Sequence, residues 1–148
     1  MELSRVPVTE IMRREFEHVL PETPLDIVLE KFSERGRHGL IVLDDAGRFA
    51  GVILLTDLLS CINPHIGIPS RRRGHGIMCI LRGSEQMAGD LVTRPHLAIP
   101  QTATLEDALG HMAQDQHPYL VVTDDAGIAL GCLELSDIIL FLRESGIV

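Results

Sequence analysis

Asp44-Asp45-Ala46-Gly47-Arg48-Phe49-Ala50-Gly51-Val52-Ile53-Leu54-Leu55-Thr56-Asp57 decides the fold, because the chain carries this pattern twice. Asp124-Asp125-Ala126-Gly127, Gly131 and Asp137 repeat it, each 80 positions beyond its counterpart. The same offset, without a gap, sets Glu10 on Asp90, Ile11 on Leu91, Leu25 on Leu105, Leu29 on Leu109, Phe32 on Met112, Leu40 on Leu120, Val42 on Val122 and Leu55 on Leu135. Apolar positions coincide throughout. A self-match at one fixed offset means that a single supersecondary unit is used twice and that the copies pack together.

Each copy reads as β-α-β-β-α. In the first, Glu17 to Leu20 is extended up to Pro21, and Thr23 is placed to cap a helix with Pro24 at its first position and Asp26 in its first turn. Leu25, Val28, Leu29 and Phe32 recur at helical spacing, so that face packs inward, and Gly36 ends the helix. Gly39 to Leu43 is a short continuous apolar run, as in a strand covered on both faces. Asp44-Asp45-Ala46-Gly47 then reverses the chain into Phe49 to Ile53. Gly51, inside that strand, costs stability unless another group needs the room, and Thr56 to Ile62 predicts an apolar helix with Asp57 in its first turn. The second copy predicts an extended stretch at Leu97 to Ile99, a helix capped by Thr104, a hairpin of Tyr119 to Thr123 with Ile128 to Leu133, and a closing helix over Ser136 to Arg143. Short segments lead each copy, Val8 to Arg14 in the first and Gly89 to Thr93 in the second.

At 148 residues the chain suits one domain or two half-domains sharing a core, and 45% hydrophobic against 23% charged residues is a globular balance. No apolar run approaches the roughly 20 residues of a membrane span. The start MELSRVPVTEIM lacks the apolar core of a signal peptide, so the cytoplasm is expected. The three cysteines, Cys61, Cys79 and Cys132, read there as reduced thiols. A net charge of −8 argues against a general nucleic-acid binder, which must neutralise phosphates. No nucleophile, base and orienter assemble from spacing, and no phosphate-binding glycine loop is present. A non-enzymatic role is expected.

The duplicated β-α-β-β-α unit, with its D-x-x-G turn, strand glycine and aspartate six residues on, resembles the CBS domain, over roughly Val8 to Ile62 and Ala88 to Glu144. The resemblance implies an α+β fold of an α/β-like kind: tandem CBS repeats packed with pseudo-twofold symmetry as a Bateman module. Repeats at 1–62 and 88–148 would be joined by a linker at 63–87. It also implies clefts between the repeats that bind adenosyl nucleotides (AMP, ADP, ATP or another adenosyl compound) and pairing into a homodimer. Asp57 and Asp137 match the family's aspartate, which would accept hydrogen bonds from ribose hydroxyls. A carboxylate near a helix N-terminus suits that task, being stabilised there with several acceptor sites.

The family's hydroxyl position is Leu54 in the first copy and Glu134 in the second, and by the resemblance Glu134 could still accept from a ribose, though it would repel nearby phosphates. By the same resemblance His38, with Arg37 beside it, stands where a basic side chain reaches phosphates; Pro118 holds the matching place, with His117 before it. Thr93 matches a ligand-lining hydroxyl, for which Arg13 substitutes in the first copy. The bland alternatives are helix capping for Asp57 and Asp137 and an exposed strand-edge histidine for His38.

Ligand binding would act on a separate effector protein by shifting a conformational population. The alternatives are an interaction and dimerisation scaffold with vestigial clefts, which Leu54 favours, and a metal-binding sensor using Cys61, His65, His75 and Cys79, residue types suited to zinc. These four flank Arg71-Arg72-Arg73 in a Gly- and Pro-rich stretch that also holds Arg82. That stretch reads as solvated, as a cover for an anionic ligand, or as a surface for an acidic partner.

Overall fold

The computed structural model describes residues 2–58, 86–92 and 94–147, apart from the side chain of Asp57. Two three-stranded sheets carry the repeats. In the first, β1 (His18–Val19) lies parallel to β2 (Gly39–Leu43) with His18 opposite Ile41, and β3 (Phe49–Leu54) borders β2 on its other side. In the second, β4 (Ala98–Pro100) is parallel to β5 (Tyr119–Thr123), and β5 is antiparallel to β6 (Ala129–Glu134). Among the described residues, four α-helices accompany them: α1 (Leu25–Phe32), α2 (Ala88–Leu91), α3 (Leu105–Asp115) and α4 (Leu135–Glu144). Three-residue 3-10 turns at Leu3–Arg5 and Val8–Glu10 open the chain, and Leu55–Leu58 forms another after β3. The predicted helix Thr56 to Ile62 is therefore a 3-10 turn as far as Leu58, and the rest of it lies outside the described residues.

The D-x-x-G turns follow from side-chain and backbone chemistry. Asp124 Oδ1 accepts from the N–H groups of Ala126 and Ile128, both at 2.9 Å, which folds the backbone around the carboxylate. Gly127 and Gly47 both take φ of +83°, a conformation that side chains with a Cβ resist. The two turns also meet: Phe49 donates its N–H to Gly127 O at 2.8 Å, and Ala129 donates to Gly47 O at 3.1 Å.

Compact units and sequence repeats divide the chain differently. One unit comprises Met1–Phe16, Ala46–Phe49 and His96–Val148; the other comprises Glu17–Asp45 and Ala50–Pro95. Each repeat's leading segment is thus built into the unit that holds the bulk of the other repeat. Val6, Val8 and Met12 join the core of Leu105, Ala108, Leu120, Leu133 and Ile138. Ala88 and Leu91 join the core of Leu25, Val28, Phe32, Leu40 and Ile53. The backbone follows the 80-residue offset through this exchange: Val8 N–H donates to Ala103 O and Ala88 N–H to Thr23 O, while Leu105 N–H donates to Val6 O and Leu25 N–H to Gln86 O. Each fully buried Leu or Ile in these cores contributes about 1.5–3 kcal/mol.

Two local expectations change. Thr23 does not cap α1. Pro24 occupies the position before Leu25 with no side-chain bond, and Thr23 Oγ1 instead accepts from Leu20 N–H at 3.0 Å. Thr104 does cap α3, where its Oγ1 accepts from Asp107 N–H and Asp107 returns the bond to Thr104 N–H at 2.9 Å, satisfying two helix-end donors. On α1, Leu25, Val28 and Phe32 are buried whereas Leu29, at the margin of the apolar stripe, is 39% exposed.

Candidate functional site

The strand glycines make the site geometry possible. A Cβ on Gly131 would stand 2.6 Å from Arg13 O and 2.9 Å from Met12 Sδ. Without it, the leading segment lies directly on β6, where Arg13 N–H donates to Cys132 O at 2.8 Å and Cys132 N–H donates back to Arg13 O at 2.9 Å. Gly51 plays the same part in the other unit, since its Cβ would fall 2.2 Å from Val92 Cγ1, and Val92 is the residue 80 positions beyond Met12.

That placement delivers Arg13 to the start of α4. Its Nη2 and Nε approach Asp137 Oδ1 at 2.8 and 2.9 Å. The other oxygen, Oδ2, accepts from Glu134 N–H at 2.9 Å and so closes the first turn of the helix. The Asp137 side chain is 13% exposed and the Arg13 side chain 54%. The hydrogen bond and charge of Asp137, followed by the more distant Glu134, raise the guanidinium pKa against the opposing effect of partial burial. The result is a carboxylate already held by a cation, with lone pairs left for further donors.

The expected basic residues have other partners. Arg37 Nη2 sits 2.7 Å from Glu34 Oε2 and 3.0 Å from Glu17 Oε2, and its Nε donates to Lys31 O at 3.1 Å. Lys31 Nζ reaches the same Glu17 oxygen at 3.1 Å; this hydrogen bond, then the charges of Arg37 and Lys31, lower the Glu17 pKa. His38 is exposed, and its carbonyl accepts from Leu55 N–H at 2.8 Å. Leu54 is buried, as the apolar run containing it requires.

Of the six candidate binding residues, Glu134 and Asp137 come together at the head of α4, with Arg13 as a third member. Arg37 and His38 belong to the other compact unit. Thr93, the Asp57 side chain, the arginines at 71–73 and 82, and the four Cys/His candidates Cys61, His65, His75 and Cys79 lie outside the described residues. The pairing of Arg13 with Asp137 had no signal in the sequence beyond an arginine at an unexpected position, because 124 residues separate the partners. Among the described residues, one trio of side chains with metal-ligand chemistry converges, His96, Asp115 and His117. Its sequence trace is His111-x3-Asp115-x-His117, a helical i, i+4 pair followed by a turn histidine.

Comparison with known proteins fits this duplicated architecture. The model of the CBS domain matches twice, at residues 8–64 and 88–144. The crystal structure of CBSX2 in complex with AMP is 25% identical with a TM-score of 0.76, covering 95% of this chain and 98% of that one. An uncharacterized conserved protein from Pyrococcus horikoshii is 20% identical with a TM-score of 0.70, covering 97% and 96%. The cytosolic domain of the Mg2+ channel MgtE, in complex with ATP, shares the fold at 17% identity and a TM-score of 0.67, covering 93% of this chain and 49% of that one. No curated protein sequence matches.

Proposed function

The chain belongs to the CBS domain family, and on that premise we propose that it is a non-catalytic regulatory module that binds an adenine nucleotide or a related adenosyl compound and relays its ligand state to a separate effector protein. The observation that carries the reading is likeness over nearly the whole of both chains to CBSX2, whose crystal structure contains AMP. The head of α4 supplies suitable chemistry. Asp137 is a part-buried carboxylate at the positive end of a helix dipole, which stabilises its charge and leaves it able to accept from a vicinal diol. Glu134 is its neighbour, and Arg13 offers a cation that a phosphate would attract. In this reading Asp57, Thr93, His38 and Arg37 complete the nucleotide contacts, the repeats at 1–62 and 88–148 are the halves of the module, and it works in the cytoplasm as a homodimer.

Signalling then follows from differential affinity: a ligand that favours one arrangement shifts its population and so changes the surface an effector meets. A second reading, an interaction scaffold, is favoured by the Arg13 contact, which already occupies Asp137 Oδ1. It is also favoured by Ile139 and Leu140, which stand 47% and 55% exposed on α4.

The deciding experiment is the thermal midpoint of nucleotide-stripped protein against a panel of adenosyl and guanosyl ligands, since a ligand that binds only the folded state raises it by mass action. The sensor reading expects a concentration-dependent rise with one adenosyl class, reduced in Asp137→Asn, which keeps a capping oxygen. A folded protein that no adenosyl ligand stabilises overturns that reading in favour of the scaffold.

A further inference from the structure

His96, Asp115 and His117 each place a ligand atom within 4.8 Å of the others, and all three belong to one compact unit. Their meeting is built into the end of α3. Asp115 is the last helical residue, and Gln116 follows with φ of +57°, the one non-glycine residue of positive φ among the described residues. This left-handed cap turns the chain back so that His117 N–H reaches Met112 O at 3.3 Å and the imidazole folds under the helix end. The parallel register of β4 with β5, Ala98 opposite Val121, brings His96 to the same end of the sheet.

Asp115 Oδ2 is the centre of the group. His111 Nδ1 lies 3.1 Å from it, one helical turn back, His117 Nε2 lies 3.9 Å away and His96 Nε2 lies 4.0 Å away. Burial is graded. The His117 side chain is 4% exposed, Asp115 26% and His96 49%, so the group runs from the interior to an open mouth at His96. A tetrahedral ion with bonds of about 2.0–2.2 Å holds its ligand atoms about 3.3–3.5 Å apart. Closing on such an ion therefore asks each imidazole nitrogen to come about half an ångström nearer the carboxylate oxygen and the two nitrogens, within 4.8 Å, to draw together.

We propose that His96, Asp115 and His117 form a binding site for a divalent transition-metal ion of the zinc class, with His111 positioning Asp115. Two imidazole nitrogens and one carboxylate oxygen suit zinc and its neighbours, whereas magnesium and calcium require oxygen-rich shells. The negative end of the α3 dipole adds a field that favours a cation at this spot. His111 Nδ1 lies 3.1 Å from the carboxylate without hydrogen-bond geometry, and a small rotation of either side chain would make it the kind of outer-shell partner that orients a metal ligand. His117 Nδ1 accepts a long 3.4 Å contact from Tyr119 N–H, which leaves Nε2 to face Asp115. The bound ion would tie the entry to β4, the end of α3 and the turn into β5 to one another. These residues are distinct from Glu134, Asp137 and Arg13, so the site stands or falls independently of nucleotide binding.

The test uses the full chain, stripped of metal with a chelator and titrated with ZnCl2, reading bound ion by equilibrium dialysis and the thermal midpoint in parallel. Wild type is expected to bind a zinc ion that raises the midpoint, and MgCl2 to leave it unmoved. Cys61→Ser/Cys79→Ser is expected to keep that ion. His96→Ala, at the open mouth where folding does not depend on it, and Asp115→Asn are expected to lose both the ion and the shift while circular dichroism stays as in wild type. His111→Ala is expected to weaken zinc by about 10- to 100-fold. The proposal is overturned if wild type binds no zinc, if His96→Ala and Asp115→Asn bind it as tightly as wild type, or if the cysteine variant alone loses it.

Discussion

Arg13 and Asp137 share a single oxygen: the Nη2 and Nε of the arginine lie 2.8 and 2.9 Å from Oδ1 of the aspartate, leaving Oδ2 to accept from Glu134 N–H. The pair exists because a leading segment from one end of the chain is laid on the last strand of the other repeat. It connects the architecture to the proposed site, since any ligand seeking Asp137 meets the guanidinium as well.

With the Arg13 side chain half exposed, solvent screening limits the worth of this pair. A double-mutant cycle on Arg13→Ala and Asp137→Asn is expected to give a coupling of about 0.2–1 kcal/mol in denaturant unfolding. Coupling indistinguishable from zero would mean that the contact is too mobile in solution to define the site.

Gly131 and Gly51 answer differently to the same substitution. Gly131→Ala drives a methyl against the Arg13 carbonyl, a backbone atom that cannot be trimmed away, and should cost about 1–3 kcal/mol, most of which persists even when Met12, the side chain also in its way, is truncated. Gly51→Ala meets the Val92 side chain instead, and also adopts φ of +153°. Val92→Ala should therefore return part of the loss in the double variant, leaving the backbone strain. Equal recovery at both sites in urea titrations would refute this account of the close approach.

Exchange of the leading segments makes a spatial prediction. Val8 is fully buried in the core that holds Leu120 and Leu133. Val8→Ala is expected to cost about 2 kcal/mol and to quicken amide hydrogen exchange in β5 and β6, leaving β2 protected despite its place in the same repeat as Val8. Faster exchange confined to β2 would contradict the assignment of 1–16 to the other unit.

Cys132 lies buried behind Arg13, and burial, more than any other influence, pushes its thiol pKa up. The folded state therefore keeps this proton in a range where the unfolded chain has lost it. Its contribution to stability is complete below the unfolded thiol value and falls away as pH rises through the folded one. In a Cys61→Ser/Cys79→Ser background, alkylation at neutral pH should be slow until the protein is denatured, and Cys132→Ala should flatten the loss of stability at alkaline pH. Rapid native-state alkylation would show the thiol to be accessible.

Capping gives the clearest contrast between two threonines at the starts of corresponding helices, Thr23 one position before the Pro24 that precedes α1 and Thr104 directly before α3. Thr104→Ala removes a two-way cap and should cost about 1 kcal/mol, while Thr23→Ala removes only the bond from Leu20 N–H and should cost less. The comparison is read directly from urea midpoints.

Much of this protein was legible as sequence. The 80-residue offset, the aspartate-glycine turns and the apolar runs are local or self-referential signals, and strands such as Gly39–Leu43 and Tyr119–Thr123 appear with the expected bounds. Burial of a continuous apolar run and the left-handed glycine of a turn depend on neighbours a few residues away, so the chain states them directly. The need for room at Gly51 was also visible, though what approached it was not.

What only the tertiary structure decided depends on groups far apart in the chain. The repeat did not show that each leading segment is packed with the bulk of the other copy, because an offset aligns residues without saying which copy they touch. Asp137 reads in the sequence as a helix cap or a ligand acceptor. Its grip by Arg13 arises from contact across 124 positions, made possible by the missing Cβ of Gly131. The grouping of His96 with Asp115 and His117 likewise rests on a strand register and a left-handed turn, geometric facts that spacing along a chain does not encode.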